Sequence, residues 1–204
     1  MPEKLKKLIN IISLLPWIWD KSATKLAFFL LNSNQNYLNN FSDILLNLKT
    51  SITKCSQCWI LIDKWNETIC SICNSHNRDK NIICLVEQYL DFITIENSGV
   101  YNWAYHILWW AISPINWVFI ADLNFESLFA RIQNNEWKLE LIIATNPNIE
   151  WEATTNYIIE QIEKKWLKKF VKISRLSRWL SSGYIEYADN ITLINSINER
   201  KEIF

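Results

Sequence analysis

Residues 82–87, "IICLVE", form an apolar run of five that ends on a carboxylate. A short apolar run of this kind, bounded by polar residues, reads as a strand buried on both faces. Working outward, the pattern alternates. A helix is expected near 89–97, a strand at "YHIL" (105–108), a helix around 125–134, a strand at "LELIIAT" (139–145), a helix over 150–164 and a further strand at "FVKISRL" (170–176). Strands alternating with helices predict an α/β fold, a mainly parallel sheet with helices on its faces.

Upstream of this region the period changes. Residues 3–14 and 20–31 read as short amphipathic helices around a turn at Pro16, and 35–53 as a third helix with Leu38, Phe41, Ile44, Leu45 and Leu48 at helical spacing. Between 55 and 79, cysteines and turn residues dominate, so that stretch has little core of its own. The expected organisation is therefore 1–54, a helical module; 55–79, a cysteine finger; 80–175, the α/β domain; and 176–204, a C-terminal segment.

Charge is unevenly spread along the 204 residues, although the formal net charge is zero. Residues 1–54 carry seven lysines against Glu3, Asp20 and Asp43. A basic segment on a neutral chain points to a polyanion contact, with a solvated lysine face as the plainer alternative. No basic-then-apolar leader opens the chain, which predicts a cytoplasmic protein. Residues 100–121 are uncharged and long enough to span a bilayer. Asn102, His106, Pro114 and Asn116 argue against a span there, and no membrane association is expected.

Cys55, Cys58, Cys70 and Cys73 form two C-x-x-C pairs. Two such pairs supply four thiolates, enough to close a tetrahedral structural Zn2+ site, whereas two disulfides would suit a secreted chain. Cys84, inside the apolar run, reads as a buried core thiol.

"ATNPNIEWEAT" (144–154) follows a strand and opens a helix, and it resembles the acidic signature of Toprim domains, Asp-Pro-Asp-x-Glu-Gly-Glu-Ala. In this chain the two aspartates are Asn146 and Asn148 and the glycine is Trp151. Glu87 matches the Toprim glutamate, with Asp91 one turn on, and Glu150 and Glu152 remain. Mg2+ demands hard, charged oxygen ligands, so two amides in place of two carboxylates weaken a metal site. The acids could equally serve the N-terminus of the following helix.

Taken in order, "LPWIWDKSATKLAFFLL" (15–31), the four-Cys finger, "YNWAYHILWWAISPINW" (101–117), "ATNPNIEWEAT" and "SRWLSSGYIEYAD" (177–189) resemble the RecR family of recombination mediators along nearly the whole chain. The resemblance implies a non-catalytic scaffold in recombinational DNA repair, binding single- and double-stranded DNA without sequence preference. It also implies a ring-like tetramer, and RecO and RecF as partners in loading recombinase at gapped DNA. The DNA-contacting hairpin would be Trp17, Trp19, Lys21 and Lys25. A Toprim metal-dependent enzyme, a nuclease or topoisomerase-like activity, is the competing class.

The family places glycine at Trp17, Trp19, Trp103, Trp110, Trp117, Trp151 and Trp179. The chain has 2 Gly and 12 Trp, and exchanging every Trp for Gly would restore glycine to about 7%, the ordinary usage. A bulky indole at each signature glycine would disrupt a turn at each site. One decoding step accounts for all seven: UGA codons for glycine translated as tryptophan. Trp59, Trp65, Trp109, Trp137 and Trp166 fit the same reading, and indoles stacking on nucleic-acid bases are the alternative. Two loops depart from the family, at Val118, Phe119 and Ile120 and around Gly183.

Overall fold

The computed structural model describes residues 1–65, 68–135, 138–146, 148–177 and 185–204. The expectations on Trp137, Trp179 and the Gly183 loop lie outside them. The chain divides into two compact units, Met1–Ser51 and Ile52–Phe204.

In the first unit, α1 (Glu3–Ser13) and α2 (Asp20–Asn32) form a hairpin, followed by α3 (Gln35–Ser51). Ala23 and Ala27 lie one turn apart on α2 and are fully buried, which lets α1 come close enough to pack Ile12, Leu8 and Ile9 over them. α3 buries no residue. Its apolar positions Leu38, Phe41 and Leu45 line an open groove of about 630 Å³ together with Leu5, Leu8 and Leu30.

The second unit begins with the antiparallel pair β1 (Ile52–Lys54) and β2 (Leu61–Asp63), then the short helix α4 (Ser71–Asn74). The main sheet and its helices follow as β3 (Asp79–Val86), α5 (Tyr89–Asn97), β4 (Trp103–Ile107), α6 (Phe125–Gln133), β5 (Leu139–Ala144), α7 (Ile149–Lys164), β6 (Val171–Arg175), α8 (Asn190–Asn198) and β7 (Lys201–Glu202). The sheet order is β4-β3-β5-β6-β7, parallel throughout except for β7 against β6. This is the α/β fold with a mainly parallel sheet that the alternation predicts.

Side chains alternate across β3 as a pleated strand requires. Ile83 and Leu85 join Phe125, Leu128, Ile132, Ile158 and Ile162 on the α6–α7 face. Cys84 and Val86 point the other way, to Phe92, Ile95, Leu193 and Ile197 of α5 and α8 and to the finger residues Ile60 and Ile72. Cys84 is a buried thiol, pushed above its ordinary pKa by desolvation. The C-terminal segment is tied down by a bidentate ion pair from Arg200 to Glu140, both contacts 2.8 Å. That guanidinium holds the Glu140 carboxyl at about 2. Residues 100–121 divide into β4, a loop and short 3-10 turns, and no helix among the described residues is long and apolar enough to cross a membrane.

The backbone has one marked peculiarity. Among the described residues, every non-glycine residue in the left-handed region is a tryptophan: Trp17 (φ 66°), Trp59 (62°), Trp109 (71°), Trp117 (57°) and Trp166 (58°). Asparagine and aspartate are the usual non-glycine occupants of that region, and among the described residues this asparagine-rich chain uses neither. Trp166 shows the local cause. After α7 ends, the Trp166 N–H donates to Glu163 O at 3.0 Å and the Leu167 N–H to Ile162 O at 2.9 Å, a Schellman ending whose left-handed position favours glycine. Gly99 (φ 66°), two residues past α5, is the ordinary residue at such a place.

Two tryptophans correct the expectation of a turn at each site. Trp103 lies within β4 and stacks on Tyr101 at 4.1 Å, and Trp151 lies in the first turn of α7; both are buried.

Candidate functional site

Two places in the second unit gather chemistry-bearing side chains. In the finger, β1 and β2 bring up Cys55 and Cys58, while the start of α4 carries Cys70 and Cys73. The four Sγ atoms lie within 4.8 Å of one another and all four residues are buried. Backbone N–H groups point at sulfur, from Cys70 to Cys55 Sγ at 3.3 Å and from Cys73 to Cys70 Sγ at 3.4 Å. Such donors stabilise thiolates. Without a cation the thiols must share charge: hydrogen bonds from Cys58 pull Cys55 down, while the Cys55 sulfur raises Cys58 and Cys73. A dication relieves this by letting all four ionise together. The donor set therefore fits a thiophilic metal ion, with no position left for water or substrate.

The finger is joined to the sheet by backbone and side-chain contacts. The Ile107 N–H donates to Cys58 O at 2.9 Å, Ser127 Oγ to Gln57 O at 2.8 Å, and Trp109 Nε1 to Trp59 O at 3.1 Å.

The second place is the carboxyl end of the parallel strands, where ligands bind in open α/β sheets. Glu87 follows β3 and Glu150 opens α7, and both line a cleft of about 420 Å³ with Gln88, Ser113, Asn116 and Trp110. Each acid is already engaged. Asn146 Nδ2 donates to Glu87 Oε2 at 2.5 Å, Ser113 Oγ donates to Glu150 Oε1 at 2.5 Å, and Arg175 grips Glu152 at 2.6 and 3.1 Å. Asn148 caps α7, its Oδ1 accepting the Trp151 N–H at 2.8 Å. Asp91 accepts the Gln88 N–H at 2.9 Å at the start of α5. Among the described residues the four acids make no cluster of three that could hold a metal; only the cysteines do.

Residues 81–177 match the family model of the Toprim domain. The match runs from β3 to just beyond β6, so the Toprim stretch contains Glu87, Asp91, Glu150 and Glu152, and the cysteine finger precedes it. Two polar partners of its acids carry no signal in the sequence: Arg175, at the end of β6, and Ser113, in the loop after β4.

Burial distinguishes these carboxyls. Desolvation pushes Asp91 up to about 6, aided by the charges of Glu87 and Glu186, and it also raises Glu87, against the hydrogen bond from Asn146. An Asp whose folded pKa exceeds its unfolded value near 3.9 favours folding when protonated, and that benefit is lost as pH rises from about 4 through 6. Asp91→Asn keeps an acceptor for Gln88 without the charge. It is expected to stabilise the protein by about 3 kcal/mol at pH 7.5 and by less than about 0.5 kcal/mol at pH 4. Urea midpoints at the two pH values check this, and an equal effect at both would refute the burial argument.

In the first unit, Lys21 and Lys25 stand exposed on successive turns of α2, with Trp17 and Trp19 exposed in the hairpin before it. Trp19 is the N-cap residue and makes no side-chain cap, so the first N–H groups of α2 have no side-chain acceptor there.

Proposed function

We propose that the protein is a RecR-like recombination mediator: a non-catalytic DNA-binding scaffold in recombinational repair. The observation that carries this reading is the combination in one chain of a helical hairpin with an uncapped, lysine-bearing second helix, a four-cysteine cluster and a Toprim-matching sheet whose acids are tied up by amides and an arginine. In this reading the α2 N–H groups approach a backbone phosphate, and Lys21 and Lys25 close on the same strand. Such contacts do not read sequence, so single- and double-stranded DNA are both bound. Zn2+ is the metal the four thiolates fit best. The bare apolar face of α3 supports self-association, in keeping with a tetrameric ring. RecO and RecF as partners, and a cytoplasmic location, follow from the family resemblance.

The same reading covers the tryptophans: they stand where UGA is decoded as glycine in the source organism. The five left-handed positions support it, and the codons test it, because UGG at Trp17, Trp117 and Trp166 would refute it.

Replacing Lys21 and Lys25 together with Gln should weaken DNA binding about equally for all sequences. It should also flatten the dependence of log K on log salt by about 0.9 per lost phosphate contact. Fluorescence anisotropy at several salt concentrations measures both, and an unchanged slope would remove the hairpin from the interface.

The competing reading, a Mg2+-dependent Toprim enzyme, is favoured by one observation: Glu87 and Glu150 share a cleft. Mg2+-dependent nicking of DNA that disappears in Glu87→Gln would establish it in place of the scaffold.

A further inference from the structure

A pocket of about 430 Å³ opens between the cysteine finger and the end of α6. Ser56, Gln57, Lys80, Ser127, Arg131, Asn134 and Asn135 supply its polar lining beside the Cys73 sulfur, and among the described residues no carboxylate lines it. That runs against the local composition, because residues 52–204 hold 18 acidic and 15 basic side chains.

Arg131 is the distinctive member. Arg78, Arg175 and Arg200 each pair with a glutamate, whereas Arg131 has no carboxylate partner among the described residues. Its Nη1 donates to Tyr105 O at 2.7 Å. One anchored nitrogen fixes the plane of the guanidinium and leaves its other N–H groups for a ligand. Lys80 is exposed near the start of β3. Lys138, two residues before Glu140 of β5, is likewise exposed. Glu140 itself is occupied by Arg200.

A plainer role exists for Arg131, since its charge lowers the nearby Cys73 thiol. That role needs only the field of the guanidinium. It explains neither Lys80 nor the amides of Asn134 and Asn135, whereas Ser127 Oγ already donates to Gln57 O.

We propose that this pocket binds a phosphate group. A planar guanidinium with free N–H groups offers two parallel hydrogen bonds to phosphate oxygens, and Lys80 adds a point charge. The site is separate from the hairpin on α2 and rests on the DNA-binding reading only for where the phosphate comes from.

The test uses the full-length metal-bound protein with Lys80→Gln, which removes an exposed side chain, and the double variant Lys80→Gln/Arg131→Gln, with metal content measured to verify an intact finger. Inorganic phosphate is titrated into 15N-labelled protein while the amides of Ser127, Arg131 and Asn134 are followed. Saturable shifts are expected in the unaltered protein, about tenfold weaker in Lys80→Gln and absent in the double variant. No shifts in the unaltered protein, or equal affinity in Lys80→Gln, overturns the pocket. Binding of a 30-base-pair duplex against salt then identifies the source. A slope lowered by about 0.9 in Lys80→Gln assigns the pocket to the nucleic-acid backbone, and an unchanged slope with the phosphate shifts present assigns it to a free phosphate or a phosphorylated small molecule. A protein that shows the phosphate shifts but binds no duplex keeps the pocket and refutes the proposed function.

Discussion

Cys70→Ser is expected to release the metal and to unfold the finger over β1, β2 and α4. Cys70 would supply one of four ligands; serine in its place can still accept the N–H of Cys73 as the N-cap of α4, so the loss expected is that of the metal bond. Finger peptides draw about 10–16 kcal/mol from structural zinc, and losing one of four ligands should cost on the order of 5 kcal/mol here. The effect should spread beyond the finger, because Cys55, Cys58, Ile60 and Ile72 belong to the same apolar cluster as Cys84, Val86 and Tyr105 of the sheet. Metal analysis and hydrogen exchange over 52–79 measure it. Cys84→Ser is the control, since that thiol lies in β3 outside the four-cysteine cluster and its replacement should leave the metal content unchanged. Reduced protein that is fully stable without any bound metal would refute the structural role.

The second large effect concerns Trp17, Trp117 and Trp166. These residues hold a left-handed backbone while their indoles are 91%, 80% and 87% exposed, so the side chains bury almost nothing to offset the conformational cost. A non-glycine residue held there costs about 1–2 kcal/mol, and glycine gives back part of that through its freer unfolded chain. The triple change to glycine should therefore stabilise the protein by about 3 kcal/mol in all. Trp59 and Trp109 are poorer test sites, because their rings flank Lys54 Nζ at 4.3 and 4.7 Å and Trp109 stacks on Tyr89. Urea unfolding of the two units reads the outcome, and an unchanged or lower midpoint would refute the strain argument.

Much of the α/β unit was legible because the second halves of β3 and β5 are buried on both faces and so carry the apolar runs 82–86 and 141–144. Short pieces were not. β1, β2 and β7 have two or three residues each, too few for any period to show, and they exist because the finger and the C-terminus have sheet partners. The cysteine cluster was readable from spacing alone. The acidic cleft was readable as residues but not as contacts: Arg175 meets Glu152 across 23 positions only because β6 lies beside β5 in the sheet. The tryptophans were legible as a composition anomaly, whereas their shared left-handed backbone at Trp109 and Trp166 required dihedral angles. The family's glycine positions imply turns at Trp103 and Trp151, whereas both indoles are part of the core.

With β7 at the opposite edge, β4 is an edge strand of the five-stranded sheet. Its outward-facing backbone is met by two groups that belong to no strand: the Cys58 carbonyl on the N–H of Ile107 and the Arg131 guanidinium on the carbonyl of Tyr105. An uncovered strand of this kind is a template for a strand of another molecule. A metal ion at the four cysteines would hold in place the turn whose Cys58 carbonyl covers this edge, and would thereby also guard against strand-to-strand association. Chelated protein should pass from a dispersed species to strand-paired aggregates, at a rate that rises with protein concentration and falls when metal is restored.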